Sequence, residues 1–182
     1  MNNVSLTDVG IEGVKLATPT MFHDERGTFF EAFRASWFSE RQRWLQWNVS
    51  RSLGNVVRGL HFHKKQTDFW IAAAGRVLVA LVDLRPNSPT QHVATCLNFD
   101  AAETQGLYIP PGVLHGYRIV VDATIMYLVD VEYTGKDEFG VRWNDPALGL
   151  PASWYEGPEP SLSKRDSTAP LLQDLKTQPP SL

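Results

Sequence analysis

The residues best suited to chemistry lie in three short segments. The first, Arg58-Gly-Leu-His61-Phe-His63-Lys-Lys-Gln66-Thr-Asp68, carries two imidazoles two residues apart, which puts both on one face of an extended strand, with a carboxylate following. The second, Ile109-Pro-Pro-Gly112-Val-Leu-His115-Gly-Tyr117, brings a third imidazole after a tight Pro-Gly turn. Imidazoles in such a setting carry protons near neutral pH or bind a metal. In the third segment, residues 124–133, alternation places Tyr127, Val129, Val131 and Tyr133 on one face, so two phenols share a surface.

The elements that must position these groups read as strands. Short apolar or alternating runs at residues 55–63, 69–73, 75–84, 93–98, 106–109 and 124–133 are separated by Gly, Pro, Asn and Asp, the pattern of an all-β sandwich or barrel. Pro86-Asn-Ser-Pro-Thr90 and Tyr133-Thr-Gly-Lys-Asp137 are turns by composition. Helix is scarce, and its best candidate is residues 35–44, opened by Ser36 and holding Trp37, Phe38 and Arg41. No internal repeat is visible. The tail from Pro158 is rich in Pro, Ser and Lys, and from about Gln173 it is expected to fray.

A chain of 182 residues is long enough for one domain with a real core, and the expectation is a single domain over residues 1–182. Hydrophobic residues are 43% and charged residues 20%, a globular balance. The net charge of −3 offers no basic field for a nucleic-acid backbone, so an anionic small ligand needs a local arginine cluster. Cys96 is the only cysteine, which excludes an intramolecular disulfide and a zinc site built from several cysteines, and fits a reducing cytoplasm. Met1-Asn-Asn-Val-Ser-Leu-Thr-Asp8 is no secretory leader and no run approaches a membrane span, so membrane partnership is not expected.

The two histidine segments together resemble the paired motifs of the cupin barrel. That resemblance implies a small all-β jelly roll with few short helices, in which His61, His63, Asp68 and His115 converge on the interior. A closer resemblance covers nearly the whole chain. Phe22-His-Asp24-Glu-Arg26-Gly-Thr-Phe-Phe-Glu31, Gln46-Trp-Asn48-Val-Ser50, Arg58-Gly-Leu-His61, Val82-Asp83-Leu84-Arg85 and Ser88-Pro89-Thr90 look like the dTDP-4-dehydrorhamnose 3,5-epimerases. So do His115-Gly-Tyr117, Tyr127, Tyr133, Trp143-Asn-Asp-Pro146 and Leu162-Ser163-Lys164-Arg165-Asp166, all in the family's order.

The resemblance implies an isomerase that inverts C3, C5 or both beside the 4-keto group of a nucleotide-linked 6-deoxyhexose, with no organic cofactor, as a homodimer. It casts His61 as the base, since an imidazole titrates near neutral pH and can take a proton from carbon next to a carbonyl. Asp166 is then its orienting partner. Tyr127 returns a proton from the opposite face. Arg26 and Arg58 match nucleotide and pyrophosphate contacts, suited to paired charge-assisted hydrogen bonds. Glu31, Gln46, Asn48, Glu138 and Arg165 match nucleotide, sugar or neighbouring positions, while His115 and Tyr133 line the pocket.

Three departures stand out. The family's active-site lysine falls at Asp68, its usual Gln two residues after the catalytic His is His63, and its usual Lys before the final Asp is Arg165. The first two create an alternative ligand set, His61, His63, Asp68 and His115, which suits a divalent iron, manganese, nickel or zinc ion. His61-Phe-His63-Lys-Lys also resembles the sugar 3,4-ketoisomerases, which move the proton between carbons of the same type of substrate. A cupin that binds a nucleotide sugar or metal without turnover is the reading from another class. Against the functional readings, strands favour tyrosine for packing alone, and a turn aspartate is commonly just solvated.

Overall fold

The structure, a computed structural model, describes residues 4–38, 43–176 and 179. Eleven strands follow in order: β1 (Val4–Asp8), β2 (Lys15–Pro19), β3 (Phe22–Asp24), β4 (Gly27–Phe29), β5 (Gln46–Ser52), β6 (Val57–Phe62), β7 (Asp68–Asp83), β8 (Ala94–Asp100), β9 (Gly106–Ile109), β10 (Val113–Val129) and β11 (Phe139–Gly140). Nine of them form one antiparallel sheet in the order β1-β2-β9-β7-β10-β6-β11, with β5 added on β10 and β8 on β7. The hairpin β3–β4 stands apart. This is the expected all-β architecture with few short helices.

Two long strands organise the sheet, and the sequence reads each in pieces. The runs 69–73 and 75–84 are one strand, β7, that passes through Gly75 without ending. Gly75 has φ of +72°, and a Cβ there would lie 2.0 Å from the carbonyl oxygen of Asp122, so the kink against β10 requires glycine. Facing it, β10 shifts register between Ile119 and Ile125. Bulges of this kind bend a strand and raise its twist, so each long strand serves both ends of the barrel. The first half of β10 pairs with β6 and the second half with β5.

Burial on both faces explains the near-continuous apolar run of β7. Val77, Val79 and Leu81 face one core cluster with Trp70, Phe99, Leu107 and Tyr117. Ala80 and Val82 face another with Phe62, Leu114, Trp143 and Trp154. Each fully buried Val or Leu side chain contributes about 1.5–3 kcal/mol of transfer free energy. The second cluster is closed by the C-terminal segment, whose Leu172 and Leu175 pack against it, Leu175 lying within the tail expected to fray from about Gln173.

The helix expected over 35–44 is a single 3-10 turn, Ala35–Trp37, and residues 39–42 lie outside the described residues. Its aromatic residues are drawn onto the sheet. Phe33 meets Phe69 at 5.1 Å between ring centroids and Phe38 stacks on Tyr108 at 4.5 Å. The last predicted strand also differs: β10 ends at Val129, so Tyr133 reaches its place on a loop and not by strand alternation with Tyr127.

Candidate active site

Close approach of β6 and β10 sets the first pair of site residues. Gly59, at φ of +113°, and Gly116 lie back to back: a Cβ on Gly59 would sit 2.8 Å from Gly116 Cα, and one on Gly116 would sit 2.6 Å from the Arg58 carbonyl oxygen. With neither strand carrying a side chain there, His61 and His115 become register partners, and a shift one step further on pairs Tyr117 with Arg58. Tyr127 enters from the other half of β10, beside Asn48 of β5 and Trp70 of β7. These residues line a cavity of about 660 Å3, within the size range of small-ligand sites.

His61 lies between two carboxylates. Its Nε2 is 2.6 Å from Asp166 Oδ1 and its Nδ1 is 3.2 Å from Glu138 Oε1. Arg165 Nη2 also lies 3.2 Å from Nε2, but a carboxylate can only accept, so the shorter contact assigns the Nε2 proton to the bond with Asp166. Asp166 is presented by a one-turn helix, Lys164–Ser167, whose N-cap Ser163 accepts from the Asp166 N–H at 3.0 Å. Burial opposes the charge on Asp166, yet the bonds to His61, Ser163 and the Gly59 N–H outweigh it and hold the carboxyl below its usual range. Glu138 is likewise held low: burial is offset by Arg165, His61 and Tyr133, whose phenol donates to Oε2 at 2.8 Å. Arg165 pairs directly with Glu138.

The phenols and the remaining imidazoles differ in electrostatic character. Burial first, then the neighbouring Tyr117 and Asp68, pushes Tyr127 up, so it stays protonated at neutral pH. Tyr117 is also raised by burial and donates to Ser50 Oγ at 3.0 Å. Burial drives His115 down to about 4, which leaves a neutral ring. Arg58 donates to Ser52 Oγ at 2.8 Å while lining the cavity.

Most of the expected residues converge: His61, Tyr127, Asp166, Asn48, Arg58, His115, Tyr133, Glu138 and Arg165 all line the cavity. Gln46 stands behind the wall, accepting from the Tyr133 N–H at 2.8 Å and donating to Asn48 at 2.7 Å. Two residues are not brought in. Arg26 sits on the separate β3–β4 hairpin with an 83% exposed side chain paired to Asp24, and Glu31 pairs with Arg34 three residues on. Each is paired with a near neighbour in sequence, on a segment that does not line the cavity. Trp47, between Gln46 and Asn48, points to the outer face of β5 and is 59% exposed.

The four-residue ligand set also changes. His61 is bonded to Asp166 through Nε2 and has Glu138 beside Nδ1, and the compact group is His63, Asp68 and His115, whose candidate ligand atoms lie within 4.8 Å of one another. Asp68 is buried and accepts from Gln66 Nε2 at 3.0 Å and Trp70 Nε1 at 3.3 Å. Gln66 and Tyr117 went unassigned in the sequence reading. Tyr117 had a signal, two residues from His115 in one strand, where period-2 spacing puts both on one face; Gln66 lies in the loop before β7, where no such spacing applies.

The chain matches the family model described as dTDP-4-dehydrorhamnose 3,5-epimerase over residues 8–174. It is 35% identical over 170 residues to the dTDP-4-dehydrorhamnose 3,5-epimerase of Salmonella typhimurium, covering 89% of this chain and 92% of that one. It is also 35% identical over 179 residues to a dTDP-4-dehydrorhamnose 3-epimerase of Streptomyces niveus, covering 94% of this chain and 85% of that one. Among solved structures it is similar to the dTDP-6-deoxy-D-glucose-3,5-epimerase of Legionella pneumophila in complex with dTDP-4-keto-L-rhamnose, with a TM-score of 0.88, 30% identity, and coverage of 98% of this chain and 99% of that one.

Proposed function

The chain belongs to the dTDP-4-dehydrorhamnose 3,5-epimerase family, and on that premise we propose that it epimerises C3, C5 or both of a dTDP-4-keto-6-deoxyhexose through His61, Asp166 and Tyr127. The observation that carries this reading is the His61 imidazole bonded to a buried aspartate at 2.6 Å in the same cavity as a protonated phenol.

The chemistry runs as two proton transfers. With Asp166 accepting the Nε2 proton, Nδ1 is the nitrogen left to take the proton from the C–H next to the 4-keto group, and Glu138 Oε1, 3.2 Å away, faces the N–H that forms. The C–H electron pair moves into the C–C bond, the carbonyl becomes an enolate, and Asp166 and Glu138 stabilise the imidazolium. Tyr127 delivers its phenolic proton to the opposite face of the same carbon, which inverts it. Arg58, with Lys164 and Arg165 on the cavity wall, supplies positive charge for the diphosphate. Asn48 and Tyr133 contact the sugar or nucleotide at the rim. The similarity to both a 3,5- and a 3-epimerase makes the number of inverted carbons a question for product analysis.

We also propose a homodimer. Among the described residues strand β5 pairs with β10 alone; it turns Trp47 and Val49, 59% and 57% exposed, away from the core, and Leu53 just beyond it is 73% exposed. An exposed apolar strand of this kind suits a second copy of the chain.

The test is NMR of dTDP-4-keto-6-deoxyglucose incubated with the protein in D2O. Deuterium at C3 or C5, absent with His61→Ala, is the expected result. No exchange by the wild-type protein sinks the reading, and a 3-keto product transfers it to ketoisomerase chemistry.

A further inference from the structure

We propose that His63, Asp68 and His115 form a binding site for one divalent transition-metal ion against the buried wall of the cavity. The argument starts from protons. His63 Nδ1 lies 2.7 Å from the Asp137 carbonyl oxygen and His115 Nδ1 lies 2.9 Å from the Val113 carbonyl oxygen. A carbonyl can only accept, so each Nδ1 carries a proton, and each neutral ring presents an Nε2 lone pair. The third member, Asp68, is also an acceptor. Three acceptors therefore come together at residues only 5%, 3% and 6% exposed.

Such a set is electrostatically incomplete. Among the described residues Asp68 has one ion-pair partner, His63, at 3.8 Å from Nε2 to Oδ2, and no lysine or arginine within that reach. A buried carboxylate with neutral donors alone leaves its charge unbalanced, so a cation or a shared proton belongs between these groups.

The surroundings favour the cation. Backbone carbonyls fix the tautomer of both imidazoles, and Gln66 and Trp70 orient the two carboxylate oxygens of Asp68. Outer contacts of this kind typically set the direction of metal ligands. First-row divalent ions hold nitrogen and oxygen ligands at about 2.0–2.2 Å, so adjacent donors stand roughly 3–3.5 Å apart. The 3.8 Å between His63 and Asp68 closes to that range with movements of a few tenths of an ångström at each side chain. Two imidazoles and one carboxylate suit iron, manganese, cobalt, nickel or zinc, and leave coordination positions open toward the cavity that His61 shares.

The experiment titrates untagged, metal-stripped, full-length protein with Co(II) near neutral pH, following visible d–d absorption and calorimetric heat. Expected are one ion per chain, and affinity at least about tenfold weaker in His63→Gln, Asp68→Asn and His115→Gln. Asp68→Asn keeps the volume and safeguards the fold, which circular dichroism checks. His61→Ala retains the binding, because that ring is committed to Asp166 and Glu138. Zn(II) is expected to raise the melting temperature of the wild type and not of Asp68→Asn. Absence of stoichiometric Co(II) binding, the result of a proton shared between His63 and Asp68, overturns the proposal. So does binding that survives all three substitutions or is lost with His61→Ala. None of these readouts requires turnover, so failure of the epimerase reading leaves the test intact.

Discussion

Asp83 and Asp166 are both buried carboxylates held by hydrogen bonds, yet one is saturated and the other is shared with a group that changes its charge. Asp83, at the end of β7, accepts from the Arg85 N–H at 3.0 Å, Arg85 Nε and Nη2 at 2.8 Å each, Ser88 Oγ at 2.6 Å and Thr90 Oγ1 at 2.7 Å. Arg85 in turn donates to the Glu12 carbonyl oxygen at 2.6 Å, which ties the turn to the β1–β2 connection. Every acceptor position is taken, so the cluster can do nothing except hold. Asp166 spends its shortest contact on His61, a ring that gains and loses a proton. The comparison teaches that a buried carboxylate becomes chemically useful when its partner is titratable and faces a cavity.

The largest effect that sharpens the contrast is expected from His61→Ala. Removing a general base lowers the deuterium exchange rate by about 10³-fold or more, roughly 4 kcal/mol in the barrier, while Asp166 keeps its bonds to the Ser163 hydroxyl and the Gly59 N–H and the loss of stability is smaller than for Asp83→Ala. Asp83→Ala should behave in the opposite way. Leaving Arg85 buried without its partner costs about 3 kcal/mol or more of folding stability, read by urea unfolding, while the exchange rate per folded molecule stays near wild type. A fall in exchange as large as that of His61→Ala would break the comparison.

Asp166→Asn is expected to slow exchange on the order of 10²-fold, because an amide neither fixes the ring tautomer nor stabilises the imidazolium. The pH dependence of stability separates the clusters further. Burial opposes ionisation of Asp83, but its bonds to Arg85, Ser88 and Thr90 prevail and bring it down to about 2 from an ordinary 3.8. A depressed carboxyl stabilises the fold above its unfolded pKa and loses that contribution as pH falls through the folded value. About 2 kcal/mol should therefore vanish between roughly pH 4 and pH 2, and Asp83→Asn should flatten that part of the curve. The smallest change in exchange is expected for Tyr127→Phe: deuterium still enters from the His61 side, within about tenfold of the wild-type rate, while the inverted sugar disappears from the product. Equal loss of exchange and inversion would remove Tyr127 from the role of acid.

The same contrast explains what was legible without coordinates. Asp83, Arg85, Ser88 and Thr90 lie within eight consecutive positions, yet the sequence offered them, like Asp166, only as parts of the family pattern; their hydrogen bonds and the Ser163 cap on the helix that carries Asp166 came with the structure. The run 75–84, read as a strand, is part of β7, whose Val77, Val79 and Leu81 share one buried face. Alternation misled at Tyr133, because the strand ended at Val129, and the helical reading of 35–44 failed because its aromatic residues pack on Phe69 and Tyr108. Arg26 and Glu31 carried the family pattern but sit outside this cavity, since a residue type in sequence order does not say where its segment is folded.

By itself the sequence determined the all-β class, the proton-transfer residue types and the family pattern, because period-2 burial, turn composition and capping act between residues close in the chain. Only the tertiary structure decided which carboxylate meets which imidazole. Asp166 reaches His61 across 105 positions and Asp137 reaches His63 across 74, contacts made when β6 and β10 close at Gly59 and Gly116 and the C-terminal segment folds back over them. It also divided the histidines into two groups, His61 beside Asp166 and Glu138, and His63 with His115 close to Asp68. That division depends on side-chain direction and on the hydrogen-bond partners at each ring nitrogen, which spacing along the chain does not encode.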